Sequence, residues 1–294
     1  MSIRDRGYKP YEGQFTPMAR RWSVVMRHTL RMTFKQPWVI AILIISVFPA
    51  LIGGVLMYIA AKMWATVPPE LAAQQGISDP GQYVFFFLVK WYGAPVQAFL
   101  MGMFAGGGAI ADDSRQGAFQ FYFARPISRE QYLVGKVVPV ILTVSIVSLV
   151  PSLLLAIVRL AVARDGSDVA HQMVLIGQAV GLGAIEAVAI GVPVVALSSI
   201  SKGRGYAQGA FATMFLLPYI VGGIFVSITR NPWPAILSVP AQLESIGSKI
   251  FNIPIAPEER PLPFLAAVLV MAATVIGSVF LLRARLKAAE VVAG

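Results

Sequence analysis

Long apolar stretches recur along this chain, and they constrain its fold more than anything else does. A helix needs about 20 apolar residues to cross a bilayer. Residues 38–61, 91–111, 137–158, 205–229 and 261–282 contain no Asp, Glu, Lys or Arg, and 172–201 is interrupted only by Glu186. The second stretch is expected to begin earlier, near Tyr83, with Lys90 reaching to the interface. The expectation is an all-α polytopic membrane protein. Its six transmembrane helices fall at about 38–61, 84–111, 132–158, 172–201, 205–229 and 261–282. They form a single membrane domain over 38–287, preceded by an N-terminal segment (1–37) and followed by a short tail (288–294).

Composition agrees with this and removes several kinds of function. Hydrophobic residues make up 57% of the 294 positions and charged ones 13%, against roughly 25% charged in ordinary globular domains. The absence of cysteine excludes disulfides, thiolate metal sites and cysteine nucleophiles. A net charge of +10 raises the question of nucleic acid, but its distribution favours a membrane face and no nucleic-acid partner is expected. The first apolar run starts only near Trp38 and is too long for a signal-peptide core, so it should persist as a membrane anchor.

Distribution of charge also sets the orientation. With the N-terminus inside, 17 of the 24 Lys and Arg residues fall on the inner side and seven on the outer. This bias predicts that both termini, and the loop 112–136, are cytoplasmic. Within 1–37, Met18, Trp22, Val25, Met26 and Thr29 recur at helical spacing, while Arg20, Arg27, Arg31 and Lys35 form another stripe. That pattern describes an amphipathic helix in the headgroup layer, its basic face toward anionic membrane lipids. Residues 62–82 read as a loop. In the proline-rich stretch 230–260, residues 241–251 are amphipathic and predict a short helix on the outer surface or folded back into the bilayer.

The loop 112–136 reads DDSRQGAFQFYFARPISREQYLVGK. Asp113 with Gln116 is expected to cap a short helix carrying Phe119, Tyr122 and Phe123. Arg125 before Pro126 should stop it, and Ser128 with Gln131 forms a capping box that opens the next helix.

Catalytic chemistry finds few candidates. The two histidines, His28 and His171, lie far apart, no HExxH occurs, and no third metal ligand is in reach. Asp112 and Asp113 are adjacent and cannot face each other across a site. No GxxxxGK[ST] is present: Gly135–Lys136 is followed by Val137. An enzyme with a catalytic, metal or cofactor site in this chain is therefore not expected, and any ATP must be bound by another chain.

Glu186 stands near the middle of the fourth span, where a carboxylate costs a few kcal/mol and should face protein or water. It reads either as a polar point on a translocation path, or helix lock, or as a hydrogen-bonded buried acid. Nearby Gly177, Gly181, Gly183, Ala187 and Gly191 give small-xxx-small spacing for close helix approach, as do Gly102 and Gly106 in the second span.

With its loop, topology and absences, the chain resembles the membrane subunit of type-2 ABC transporters, the ABC-2 permease family. The loop GAFQFYFARPISREQYLVGK is similar to the family's acidic stretch, glycine, apolar helix, Arg-Pro-Ile-Ser and final Gly-Lys. The architecture matches from about Met18 to Lys287, although relatives often place a Glu where this chain has Asp112 and Asp113. The resemblance implies the permease subunit of an exporter in a bacterial inner membrane. It would pair with a second permease (identical or related) and with two cytoplasmic ABC ATPases that supply ATP and Mg. Residues Gly117, Phe119, Phe121, Tyr122, Phe123, Arg125 and Pro126 would then form the ATPase-coupling helix, with the rings seated in a groove of the ATPase. Two alternatives are an ATP-independent secondary transporter with Glu186 as its ion site, and a membrane sensor or anchor.

Overall fold

The computed structural model describes residues 17, 20–64, 94–123, 127–161, 166–252 and 262–293. In chain order its helices are α1 (Arg21–Phe34), α2 (Pro37–Trp64), α3 (Ala94–Gly106), α4 (Ala111–Arg115) and α5 (Ala118–Phe123). They continue with α6 (Arg129–Ala161), α7 (Gly166–Ile200), α8 (Arg204–Thr229), α9 (Val239–Ile250) and α10 (Phe264–Ala293). No strand occurs among the described residues. Among the described residues, five helices are long and apolar enough to cross a membrane: α2, α6, α7, α8 and α10. Of the remaining expected span, 84–111, residues 84–93 lie outside the described part. Its helix, α3, ends at Gly106 instead of running on to residue 111.

α6 and α7 are the axis of the bundle. At 33 and 35 residues each is about 50 Å long at 1.5 Å per residue, enough to reach beyond the lipid on both sides. They run antiparallel: a Cβ on Gly183 would meet Leu149, and one on Gly191 would meet Ile141. α1, α2 and α3 pack on α6, while α3, α8, α9 and α10 pack on α7.

Glycine decides how closely these helices approach. A Cβ on Gly102 would come within 2.5 Å of Ile190, and one on Gly106 would collide with Val194, so the GxxxG of α3 seats that helix against α7. Of the small residues on α7, Gly183, Ala187 and Gly191 are used in packing. Gly177 and Gly181 meet nothing, because they lie on a face of the helix that no described neighbour approaches.

α8 and α10 sit at the periphery with much of their apolar surface exposed, as lipid-facing helices do. α8 is tied to α3 by Phe99, whose ring stacks on Phe211 at 5.4 Å and Phe215 at 4.5 Å.

The expected helix after residue 240 forms as α9, capped by Ser238, which accepts from Ala241 N at 3.3 Å. It folds back against α10 and α7 and does not lie apart on a surface. Leu243 and Ile246 are buried, Ser245 donates to Leu262 O (2.7 Å), and Gln178 of α7 donates to Ile250 O (2.8 Å).

Candidate functional site

The residues with the richest polar chemistry gather at the opposite end of the bundle from α9. The beginnings of α2, α6 and α8, the ends of α3, α7 and α10, and the short α4 and α5 meet there. Asp112 and Asp113 are in the middle of this junction.

Local sequence builds its frame. After Gly106 the chain leaves the helix for a four-residue turn. Ser198 of α7 holds that turn, accepting from Ile110 N (3.1 Å) and Ala111 N (3.0 Å) and donating to Gly107 O (2.9 Å). Gly108 leaves room for the Arg204 guanidinium and the Asp112 carboxylate, which a Cβ would strike. α4 then presents both aspartates, and Gly117, at φ +66°, makes the left-handed turn into α5 that a side chain would resist. The Ser128–Gln131 capping box is complete: Gln131 N donates to Ser128 Oγ and Ser128 N donates to Gln131 Oε1, both at 3.2 Å.

The expected Asp113–Gln116 cap does not form. Asp113 lies inside α4 and its carboxylate is engaged by α6. Lys136 Nζ approaches Asp113 Oδ2 at 2.6 Å, and the Tyr132 hydroxyl donates to the same oxygen at 2.7 Å. Lys136 is 4% exposed and Tyr132 fully buried. Two aromatic faces complete the ammonium's surroundings, Tyr132 at 5.6 Å and Tyr122 at 5.8 Å from ring centre, distances at which a cation is attracted to a ring. Tyr122 and Phe119 of α5 each meet Tyr132 edge-on, at 5.2 and 5.8 Å. Burial, then the Asp113 carboxylate, push the Tyr122 phenol up to about 12, so it stays neutral.

Asp112 turns the other way, to Arg204 at the start of α8 (2.7 Å), and Arg204 also donates to Gln36 at the start of α2 (3.3 Å). The last turns of α10 join through Arg283 with Glu130 (3.2 Å) and Arg285 with Ser199 O (3.3 Å).

Other expected residues fall as follows. Gly117 is exposed; Phe121 and Phe123 belong to α5; Arg125 and Pro126 lie outside the described residues. In α1 the apolar stripe rests on protein: Val25, Thr29 and Thr33 are buried, Trp22 half-buried, and Gly135 of α6 leaves the space that Val25 enters. Arg20, Arg27 and Arg31 remain exposed on the opposite face. Glu186 is far from the junction, 3% exposed at the α6–α7 interface and facing Ser148. Among the described residues, neither its Oε1 nor the Ser148 hydroxyl has a hydrogen-bond partner. Among the described residues no cluster of His, Cys, Asp or Glu could hold a metal.

Neither Lys136 nor Arg204 is among the site residues expected from local sequence. A signal was present: Lys136 stands within an apolar helix with no acid one turn away on either side, and a buried cation of that kind demands a distant partner.

A bundle of apolar helices with one charged, capped end defines a multi-pass membrane protein. The chain belongs to the ABC-2 family of transporter proteins, whose family model matches residues 23–256. Membership makes it a membrane subunit of the permease type, in a family that normally works with separate ATPases. No curated protein matches the chain.

Proposed function

We propose that this chain is the transmembrane subunit of an exporter in a bacterial inner membrane, with both termini cytoplasmic, driven by ABC ATPases that bind ATP and Mg. α5 is its coupling helix, and a second permease, identical or related, completes the path. The single observation that carries this reading is the junction: a short helix between α3 and α6, fastened to the buried start of α6. The outward Arg20, at the N-cap of α1, with Arg27 and Arg31 inside that helix, suits anionic lipid.

Site-specific crosslinking tests the proposal, helped by the absence of native cysteine. A Cys in place of exposed Gln116, beside α5, should crosslink to a co-expressed ATPase. A Cys in place of exposed Trp233, near the other end of the bundle, should not. Crosslinking at position 233 and none at 116 would reverse the orientation and end the coupling role.

A second reading has its own observation, the buried Glu186 with an unpartnered oxygen. An ATP-independent transporter using Glu186 would respond to an imposed proton gradient and be indifferent to ATP. A flux assay in vesicles separates the two.

A further inference from the structure

We propose that the Asp113–Lys136 ion pair is a clasp that, with Tyr132, fastens α4 and α5 to the start of α6, so that force on α5 moves α6. The inference deepens the coupling role proposed above and rests on it.

A helix of six residues has too few internal hydrogen bonds to be stiff by itself. Whatever α5 transmits must therefore come from how its two ends are held. Asp113 precedes α5 and Lys136 follows it, so the 2.6 Å contact between them closes the loop at its base. Tyr132 reinforces the closure from both sides. Its hydroxyl holds the same Asp113 oxygen, and its ring is the surface on which Phe119 and Tyr122 of α5 rest. α1 backs the clasp from behind, because Val25 fills the space left by Gly135. With the charged pair largely removed from water, solvent screens it much less than it would an exposed pair.

α6 then carries the displacement. It is one helix from the clasp to Ala161, and it packs on α7 through Gly183 and Gly191. Asp112 leads instead to Arg204 of α8, a contact partly open to solvent on both partners. The clasp thus selects which span follows the ATPase: Lys136 and Tyr132 are positioning residues, and α6 is the moving part.

The test uses the complete permease–ATPase complex in lipid nanodiscs, with spin labels on Ile157→Cys of α6 and Ile228→Cys of α8, both exposed near the end away from the clasp. The inter-label distance is measured with and without ATP and vanadate. An unaltered clasp should give a nucleotide-dependent shift. Asp113→Asn with Lys136→Met removes both charges together and should abolish the shift while the ATPase still co-purifies. Lys136→Arg keeps the cation and should preserve it. Tyr132→Phe, the mildest change, should broaden the distance distribution.

A full shift in the double variant, loss of ATPase from it, or an Arg variant as defective as the double variant would each overturn the clasp. So would an unchanged distribution in Tyr132→Phe. Absence of any shift, or of the ATPase, with the unaltered clasp would sink the coupling reading itself and this inference with it.

Discussion

Asp112 and Asp113 are consecutive residues of one short helix, yet they serve opposite sides of the bundle in different physical settings. Asp113 faces inward to α6, where its side chain is 17% exposed and that of Lys136 5%; Asp112 faces α8, where it is 33% and Arg204 40% exposed. The contact lengths are nearly equal, at 2.6 and 2.7 Å. Distance alone would rank the two pairs together. Solvent separates them, because water screens a half-exposed pair and hydrates either partner once it is left alone, whereas a buried partner has no such refuge. One side of α4 is therefore a fixed attachment and the other a contact that can be broken cheaply.

The largest effect should follow from leaving a charge buried and alone. Asp113→Ala, which strands Lys136, is expected to destabilise the chain by about 3–5 kcal/mol, read as a fall in the denaturant midpoint of the purified protein. A loss below about 1 kcal/mol would place the pair with exposed ones and erase the distinction.

Ser198→Ala comes next. It strips Ile110 N and Ala111 N of their acceptor and should cost about 1–3 kcal/mol. Hydrogen exchange at these two amides should rise while the amides of α6 stay protected.

Asp112→Asn should cost at most about 1 kcal/mol in the same denaturation measurement, and that small cost should shrink further in high salt. An Asp112 effect as large as that of Asp113 would contradict the comparison directly.

The smallest effect concerns pH. Tyr122 titrates near 12 in the fold, above its ordinary value of 10.0. Being an acid held neutral by the fold, it contributes fully below pH 10. That contribution is lost as pH rises from 10 to 12, since over that window the unfolded chain has released the proton and the folded one has not. Tyrosinate absorbance of the native protein, compared with Tyr122→Phe, should show this late titration. An ordinary midpoint would mean that α5 does not rest on Tyr132.

Particular residues show how far sequence reading reaches here. The Ser128–Gln131 box was legible because a capping box is made entirely by neighbours three residues apart. The same spacing at Asp113 and Gln116 misled, since a competing cation on another helix claims the carboxylate and local spacing carries no trace of that competition. The GxxxG of α3 was legible as a packing motif. On α7 an equally glycine-rich pattern divided into used and unused positions, because periodicity shows which residues share a face without showing which face meets a neighbour. In α1 the apolar stripe is legible as a stripe, but α6 takes it in place of lipid.

By itself, the sequence determined the helical membrane class, most of the spans, the Ser128–Gln131 cap and the absence of thiol chemistry. Each of these depends on hydrophobicity, residue count and contacts a turn apart, which are properties of short stretches of chain. Only the tertiary structure decided that Asp112 and Asp113 part company, that Lys136 and Tyr132 receive one of them, and that α6 and α7 form the axis. Those outcomes depend on which distant helices come together and on where water is shut out.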